Sequence, residues 1–187
     1  MAAGTSGYFL ITVNVNTAAT DEHTVRITGS TNPVTFGYTT AVSLTNNQNN
    51  GGGLQTIQAP DITLSTSSVA ADTIYQGTNT NIVSITKMKV TTANVNVTNI
   101  QYTLSGNHDA DDLTYTSVYY NTTPDLTGAS YLGQVTAPYA APHLYSINIY
   151  KPMPAGTTGY FIVTVNVNTS ATDNHTVKVS AATRSEE

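Results

Sequence analysis

The sequence predicts an all-β protein built as an antiparallel sandwich, and three observations support this. Thr (35) and Asn (18) make up 53 of the 187 residues; threonine favours strands, and asparagine favours the turns between them. Apolar and polar residues alternate along stretches separated by turn signals every roughly 10–15 residues, with no helical period between them. A 26-residue stretch also recurs, which is the signature of a repeat architecture. We therefore expect almost no helix.

The repeated stretch reads AGTSGYFLITVNVNTAATDEHTVRIT at residues 3–28 and AGTTGYFIVTVNVNTSATDNHTVKVS at residues 155–180. The copies lie 152 positions apart and are identical at 18 of 26 positions, and only Glu22 against Asn174 changes the chemistry. A period of that length is domain-sized. The chain is thus predicted to hold the end of one repeat and one complete copy of the next. Because Met1 aligns with Met153, inside a repeat, we expect a fragment of a longer polypeptide.

The first predicted element is a β-hairpin at residues 7–16 and 23–28, belonging to a preceding repeat at residues 1–30. One face of its first strand is apolar and consists of Phe9, Ile11, Val13 and Val15. An isolated hairpin is marginal in water, so this face is expected to contact another domain or subunit. Residues 31–53 are interpreted as a connector, either a plain linker or an arm that pairs with a neighbour's sheet edge.

Residues 54–183 are predicted to form one complete sandwich, and residues 184–187 begin the next linker. Its candidate strands alternate in polarity or are rich in β-branched residues. They are residues 62–69, 73–75, 81–91, 95–105, 113–120, 131–135, 144–150, 159–168 and 176–181. The last two are predicted to form a hairpin. This spacing is typical of an immunoglobulin-like (Ig-like) antiparallel sandwich of seven to nine strands.

Several blocks of this domain resemble known repeats. They are GGLQTI (52–57), QGTNTNIVSITKMKVTTANVNVTNIQYTLSG (76–106), DDLTYTSVYYNTTPDLTGASYLG (111–133) and AGTTGYFIVTVNVNTSATDNHTVKV (155–179). Their order is similar to that in the Ig-like tandem repeats of very large secreted surface and adhesin-type proteins of Bacteroidetes-like bacteria. The resemblance implies export, an extracellular or cell-surface location, and a spacer, adhesin or filament role. The Asn-rich connector is longer here than in such repeats.

Composition narrows the classes of function. The net charge is −5 and only 9% of residues are charged, so nucleic-acid binding, which needs clustered Lys and Arg, is not expected. No apolar run approaches the ~18 residues of a membrane-spanning helix. Cysteine is absent and the only glutamates are Glu22, Glu186 and Glu187, which leaves no thiol nucleophile and no glutamate pair for glycoside hydrolysis. We expect a non-catalytic protein without an obligatory cofactor, whose partners are other copies of the repeat.

One candidate metal site lies in a loop. Asn107, Asp109 and Asp111 place oxygen atoms at positions 1, 3 and 5 of a calcium-loop spacing, and Asp112 adds another carboxylate. Position 6 lacks glycine and position 12 is Val118, so an EF-hand is excluded. The alternatives are a loop stabilised by calcium with further ligands from elsewhere, and a solvated acidic turn.

Two pairs of residues occupy matching turns of the repeated stretch, Asp21 with His23 and Asp173 with His175. A carboxylate beside an imidazole can bind a metal or position a base. The alternative is structural, in which the aspartate stabilises the turn and the histidine begins the next strand.

The 12 tyrosines suggest a second function, as a carbohydrate-binding module. Tyr115, Tyr119 and Tyr139 are candidates to stack on the apolar faces of surface glycans, and the alternative for them is packing within the sandwich.

Three positions are candidates for glycosylation. Asn96 and Asn121 begin N-glycosylation sequons. Asp72-Thr73-Ile74 resembles the short O-glycosylation motif of the same bacterial group, which makes Thr73 the third candidate.

Overall fold

The computed structural model describes residues 4–16, 19–28, 33–39, 43, 45–46, 48, 53–136 and 139–180. The chain divides into two units, Met1–Ala59 and Pro60–Glu187. The predicted linker at residues 184–187 and most of the predicted connector after residue 39 lie outside the described residues.

The described part of the first unit contains one strand pair. β1 (Thr24–Val25) pairs antiparallel with β2 (Gln55–Thr56). Residues 54–59, with which the sandwich was predicted to begin, thus belong to the first unit. Residues 7–16 form no strand, and the predicted hairpin is therefore wrong. A β-strand is stabilised by hydrogen bonds to a neighbour, and β2 takes the position beside β1 that the prediction gave to residues 7–16.

The second unit is an antiparallel β-sandwich, as predicted. Its described strands are β3 (Ile62–Ser67), β4 (Asn81–Val90), β5 (Val95–Gly106), β6 (Leu113–Asn121), β7 (Ser130–Thr136), β8 (His143–Met153), β9 (Thr158–Val167) and β10 (Val177–Ser180). One sheet has the order β3-β4-β9-β6-β7 and the other the order β10-β5-β8. A 3-10 turn, η1 (Ala110–Asp112), precedes β6.

Two predicted elements of this unit are corrected. Residues 73–75 form no strand. The predicted terminal hairpin is an arch instead, because β9 lies between β4 and β6 in the five-stranded sheet while β10 pairs with β5 at the edge of the three-stranded sheet. A hairpin and an arch both join two alternating stretches through a polar turn, so the sequence pattern alone does not separate them.

Pro152 lies inside β8, two residues beyond the predicted end of that strand at residue 150. It is paired in register with Asn96 of β5. Because β8 is the edge strand of its sheet, a residue without an N–H group is tolerated there.

The core fills the space between the two sheets. Its buried apolar residues are Tyr102, Leu104, Leu113, Val118, Tyr145, Ile147, Val163, Val165, Val167 and Ala171. The Tyr102 hydroxyl lies 3.0 Å from Thr116 Oγ1, which donates to the carbonyl of Thr164 at 2.9 Å. Burial raises the pKa of Tyr102 to about 12, so the hydroxyl group is neutral. Because Tyr102 belongs to β5 and Thr116 to β6, this buried hydrogen-bond network joins the two sheets.

Candidate assembly site

The two copies of the repeated stretch have opposite solvent exposure. The core-facing residues of β9 are buried: Phe161 (5%), Val163 (6%), Val165 (0%) and Val167 (9%). The matching residues of the first copy are exposed: Phe9 (70%), Ile11 (57%), Val13 (61%) and Val15 (55%). Phe9 contacts Phe36, with 5.1 Å between ring centroids, and still remains mostly exposed. The face that forms the core of one unit therefore lies open to solvent in the other.

The local turns of the repeated stretch are nevertheless the same in both copies. Gly4 and Gly156 have φ angles of 77° and 78°, and Glu22 and Asn174 have φ angles of 61° and 63°. The N–H of Ala19 donates to the carbonyl three residues earlier at 3.0 Å, and the matching bond in the second copy, from residue 171 to residue 168, is 3.2 Å long. The first copy thus keeps the turns of the β9–β10 arch without the sheets that the arch connects.

The centre of the five-stranded sheet holds β9 by close packing as well as by its two ladders. Tyr120 of β6 packs edge-on against Phe161, with 5.5 Å between ring centroids, and Lys151 Nζ lies 3.7 Å from the Tyr120 ring centroid. A Cβ atom at Gly159 would overlap the Tyr120 ring. The Tyr120 ring would have to shift to admit a side chain, so packing favours glycine at this position, and the first copy has the matching Gly7.

A set of hydrogen bonds, which we call the turn latch, fastens the β9–β10 turn to the β5–β6 connection. Asn107 Oδ1 accepts bonds from the Thr176 N–H at 2.7 Å and the Thr176 hydroxyl at 2.8 Å. Asp112 Oδ1 accepts a bond from the Thr172 N–H at 2.6 Å, and Asp112 Oδ2 lies 2.6 Å from His175 Nδ1. The latch joins residues 60 or more positions apart in the chain, and so holds the arch on the sandwich.

Asp112 is the electrostatic centre of the latch. Its burial by itself raises the pKa, but the bonds from His175, from the Thr172 N–H and from the Asp109 N–H outweigh that effect and lower the pKa to about 2. The carboxyl group is therefore ionised in the folded protein at all ordinary pH values. Each of these bonds is charge-assisted, which makes it stronger than a bond between neutral groups.

Replacing Asp112 by asparagine is expected to destabilise the second unit by about 2–3 kcal/mol, because the bonds to a charged acceptor are lost in a buried position. The sign of the pH dependence follows from the lowered pKa. The contribution of Asp112 is present above the ordinary carboxyl pKa and is lost as the pH falls towards 2. In urea unfolding at pH 7, 4 and 2, the stability difference between the parent chain and Asp112→Asn should shrink with acid.

A constant difference down to pH 2 would show that the Asp112 charge does not contribute to the stability. His108 is buried in the same connection, and burial lowers its pKa. Its protonation also destabilises the fold in acid. Because the Asp112 charge opposes the lowering of the His108 pKa, the two proteins are compared in a His108→Gln background, which removes this titration from both.

The matching turn of the first unit is fastened to a different segment. Asp21 Oδ1 accepts a bond from the Ala59 N–H at 2.7 Å, and the carbonyl of His23 accepts one from the Ile57 N–H at 2.7 Å. In the second unit Asp173 Oδ1 accepts from the N–H of the next residue at 3.1 Å. The histidine of that turn, His175, pairs with Asp112 rather than with Asp173.

The predicted calcium ligands are only partly brought together. The described residues whose ligand atoms lie within 4.8 Å of one another are Asp109, Asp112 and His175, whereas Asp111 is exposed and Asn107 Oδ1 is used by the latch. A cation there would compete with the hydrogen bonds of Asp112. Calcium stays a prediction: if it binds, millimolar calcium will raise the Tm and a chelator will lower it, and an unchanged Tm in both would contradict it.

The predicted glycan-binding tyrosines fall into two groups. Tyr119 packs edge-on against Tyr131 of β7, with 5.7 Å between ring centroids. Tyr115 lies on the same face of β6 as Tyr119, and these two with Tyr131 form one cluster. Burial raises the pKa of Tyr119, and repulsion between its phenolate and those of Tyr115 and Tyr131 raises it further. Tyr139 is exposed and lies over His143, with 4.2 Å between ring centroids. Tyr131 was not among the predicted residues and joins the cluster through the β6–β7 pairing.

The candidate glycosylation residues differ in accessibility. Thr73 and Asn96 are exposed. Asn121 is 8% exposed, and its Nδ2 donates bonds to the carbonyls of Asp125 and Thr127 at 2.8 and 3.0 Å. Both protons of that amide are therefore engaged, and its nitrogen is not accessible in the folded chain.

Sequence reasoning missed that the acidic loop and the repeated turn contact each other. One available signal was that Thr-Asp-x-His-Thr occurs in both copies, at residues 20–24 and 172–176, which indicates a shared packing role.

No helix among the described residues is long and apolar enough to cross a membrane. Comparison of the chain with protein-family models, with curated proteins and with solved structures finds no match.

Proposed function

We propose that this chain is a non-catalytic structural repeat module of an extracellular fibre, filament or surface adhesin on a bacterial cell. The observation that carries the proposal is the repeated stretch. Residues 155–180 complete a sandwich in one unit, and nearly the same text occurs 152 positions earlier. A sequence in which the end of one domain precedes a whole domain of the same kind is typical of a tandem array.

The second unit has the properties expected of a spacer in such an array. The central strand of each sheet, β9 in one and β5 in the other, is paired on both sides. The turn latch fastens the β9–β10 arch to the rest of the domain. Only 9% of the residues of the whole chain are charged, while Thr and Asn are abundant, so the polar surface consists mainly of neutral hydroxyl and amide groups. These features support a role in supplying length and stiffness.

Contact with other copies of the repeat is the second part of the proposal. The first copy exposes the four apolar residues Phe9, Ile11, Val13 and Val15. Burying the part of these four side chains that is still exposed contributes on the order of 4–7 kcal/mol, which is enough to drive strand exchange or complementation between units. Another copy of the same domain is the partner that offers a matching surface.

Electron microscopy of intact cells tests this function. Antibodies raised against this chain, with gold-labelled secondary antibodies, should decorate fibres or surface layers at a regular spacing. Labelling of the cell interior, or surface labelling without any extended structure, would contradict the proposal. Antibodies that have been absorbed with the purified chain provide the control.

A carbohydrate-binding module is the second candidate, favoured by the cluster of Tyr115, Tyr119 and Tyr131 on the five-stranded sheet. If this function holds, a glycan array will show binding that falls at least about tenfold when Tyr119 and Tyr131 are both replaced by alanine, since an aromatic stack contributes roughly 1–3 kcal/mol. Tyr150, which is 72% exposed and lies on β8, is the control for replacement by alanine. A blank array counts against this function.

A further inference from the structure

We propose that residues 3–28, which we call the donor segment, can occupy the place of β9 and β10 in the sandwich of a second copy of this chain. This inference rests on the proposed function and names the surface through which units associate. The acceptor is the slot between β4 and β6 of one sheet, together with the edge of β5 in the other.

The apolar pattern of the donor segment fits this slot. Phe9, Ile11, Val13 and Val15 match the four residues with which β9 enters the core, and each is the same as its counterpart or differs by one methylene group. The slot buries this face almost completely in the second unit, whereas the first copy leaves it more than half exposed. Insertion would remove that apolar surface from water.

The donor segment also keeps the residues that hold the arch in place. Gly7 matches Gly159, where a side chain would overlap the ring of Tyr120. Thr20, His23 and Thr24 match the three residues that the turn latch contacts. Where the first copy now lies, the only described strand pairing is the two-residue β1–β2 ladder, so packing there does not explain why the whole set is retained.

One difference makes the donor segment a weaker occupant than the resident arch. Asn174 and Glu22 both have positive φ angles, and asparagine tolerates that conformation better than glutamate does. A donor with Glu22→Asn should therefore bind a few-fold more tightly. The order of affinity is a specific consequence of insertion at this slot.

Competition with the resident arch determines when exchange occurs. The resident arch is tethered to its own domain, and tethering of this kind corresponds to an effective concentration of about a millimolar. The parent chain is thus expected to stay closed at micromolar concentration. The donor segment gains access during folding, or when the resident arch is displaced.

The test uses the full chain with both of its own segments disabled. In Val13→Asp/Val165→Asp a charge replaces the matching valine of each copy, and a charge cannot be buried in the slot, so neither copy fills it. A peptide of residues 3–28 should restore the β-sheet circular dichroism of this variant and co-elute with it at a 1:1 ratio. The Glu22→Asn peptide should do so at a lower concentration, and the Val13→Asp and Gly7→Ala peptides should require at least about tenfold more.

Two results would overturn the proposal. One is that the peptide of residues 3–28 restores no structure, and the other is that the Val13→Asp peptide works equally well. Because the double variant is a demanding acceptor, the parent chain provides a second measurement. Refolded from urea with ~1 mM biotinylated peptide, near the effective concentration of the tethered arch, it should retain peptide through gel filtration, and its failure to do so also counts against donor insertion.

Failure of this experiment leaves the spacer function standing, because a tandem array does not need exchange between chains. A negative result in the electron microscopy would contradict the extracellular location and the fibre role, but it would not bear on the affinity of the donor segment for the slot. The two proposals are therefore separable by experiment.

Discussion

Replacing Gly159 by alanine is expected to destabilise the second unit by about 1–3 kcal/mol, the usual range for overpacking a buried position. The added Cβ atom would overlap the ring of Tyr120. A shift of that ring would weaken its contacts with Phe161 and with the ammonium group of Lys151. The free energy of unfolding, obtained from urea titration followed by circular dichroism, measures the effect.

The matched control is Gly7→Ala, the same substitution at the same position of the repeated stretch. Residues 7–16 form no strand, so this change should alter the stability of the sandwich by less than ~0.5 kcal/mol. Equal losses in the two variants would mean that residues 7–16 are already inserted in a sheet of the parent protein. A negligible loss in Gly159→Ala would mean that Tyr120 does not pack over β9 as described.

The sequence predicted the positions of strands well, because the alternation that marks a strand is a local property of the chain. Alternation of apolar and polar residues located β4, β5, β6 and β9 to within about a residue at each end, because a strand with one buried face has a period of two wherever it occurs. The same alternation chose Phe9, Ile11, Val13 and Val15 as one face. The equivalent residues of β9 do enter the core.

Local pattern was a poor guide to which strands become neighbours. The residues at 7–16 and 159–168 have nearly the same text, yet only the second copy forms a strand. The difference lies in the rest of the chain, since β4 and β6 flank β9 and no described strand flanks residues 7–16. Strand formation is thus a property of the partner as much as of the segment.

The acidic loop shows the same limit for the candidate site. Asn107 and Asp112 were candidate calcium ligands, with a solvated acidic turn as the alternative, and the contact that the structure gives both of them with the β9–β10 turn was not predicted. Oxygen atoms that suit a cation also suit backbone N–H groups. Their actual partners, Thr172 and Thr176, lie 60 and 69 positions away, and no local spacing reports a contact over that distance.

Shortening one valine in each copy should separate the two environments most directly. Val165→Ala removes two methyl groups from a position that is 0% exposed in the core, and the expected loss is about 2–3 kcal/mol from lost burial and the cavity that remains. Val13→Ala makes the same chemical change at a residue that is 61% exposed. Its expected effect on the unfolding free energy is below ~0.5 kcal/mol.

This valine pair also distinguishes packing from assembly, because the two changes act on different equilibria. Val165→Ala weakens the resident arch, so the slot should become easier to enter and the donor peptide should bind at lower concentration. Val13→Ala should leave the sandwich unchanged and weaken only the affinity of the donor segment for a second copy. If Val13→Ala instead lowered the stability of the monomer as much as Val165→Ala, the first copy would already be buried within its own chain, and donor insertion would lose its driving force.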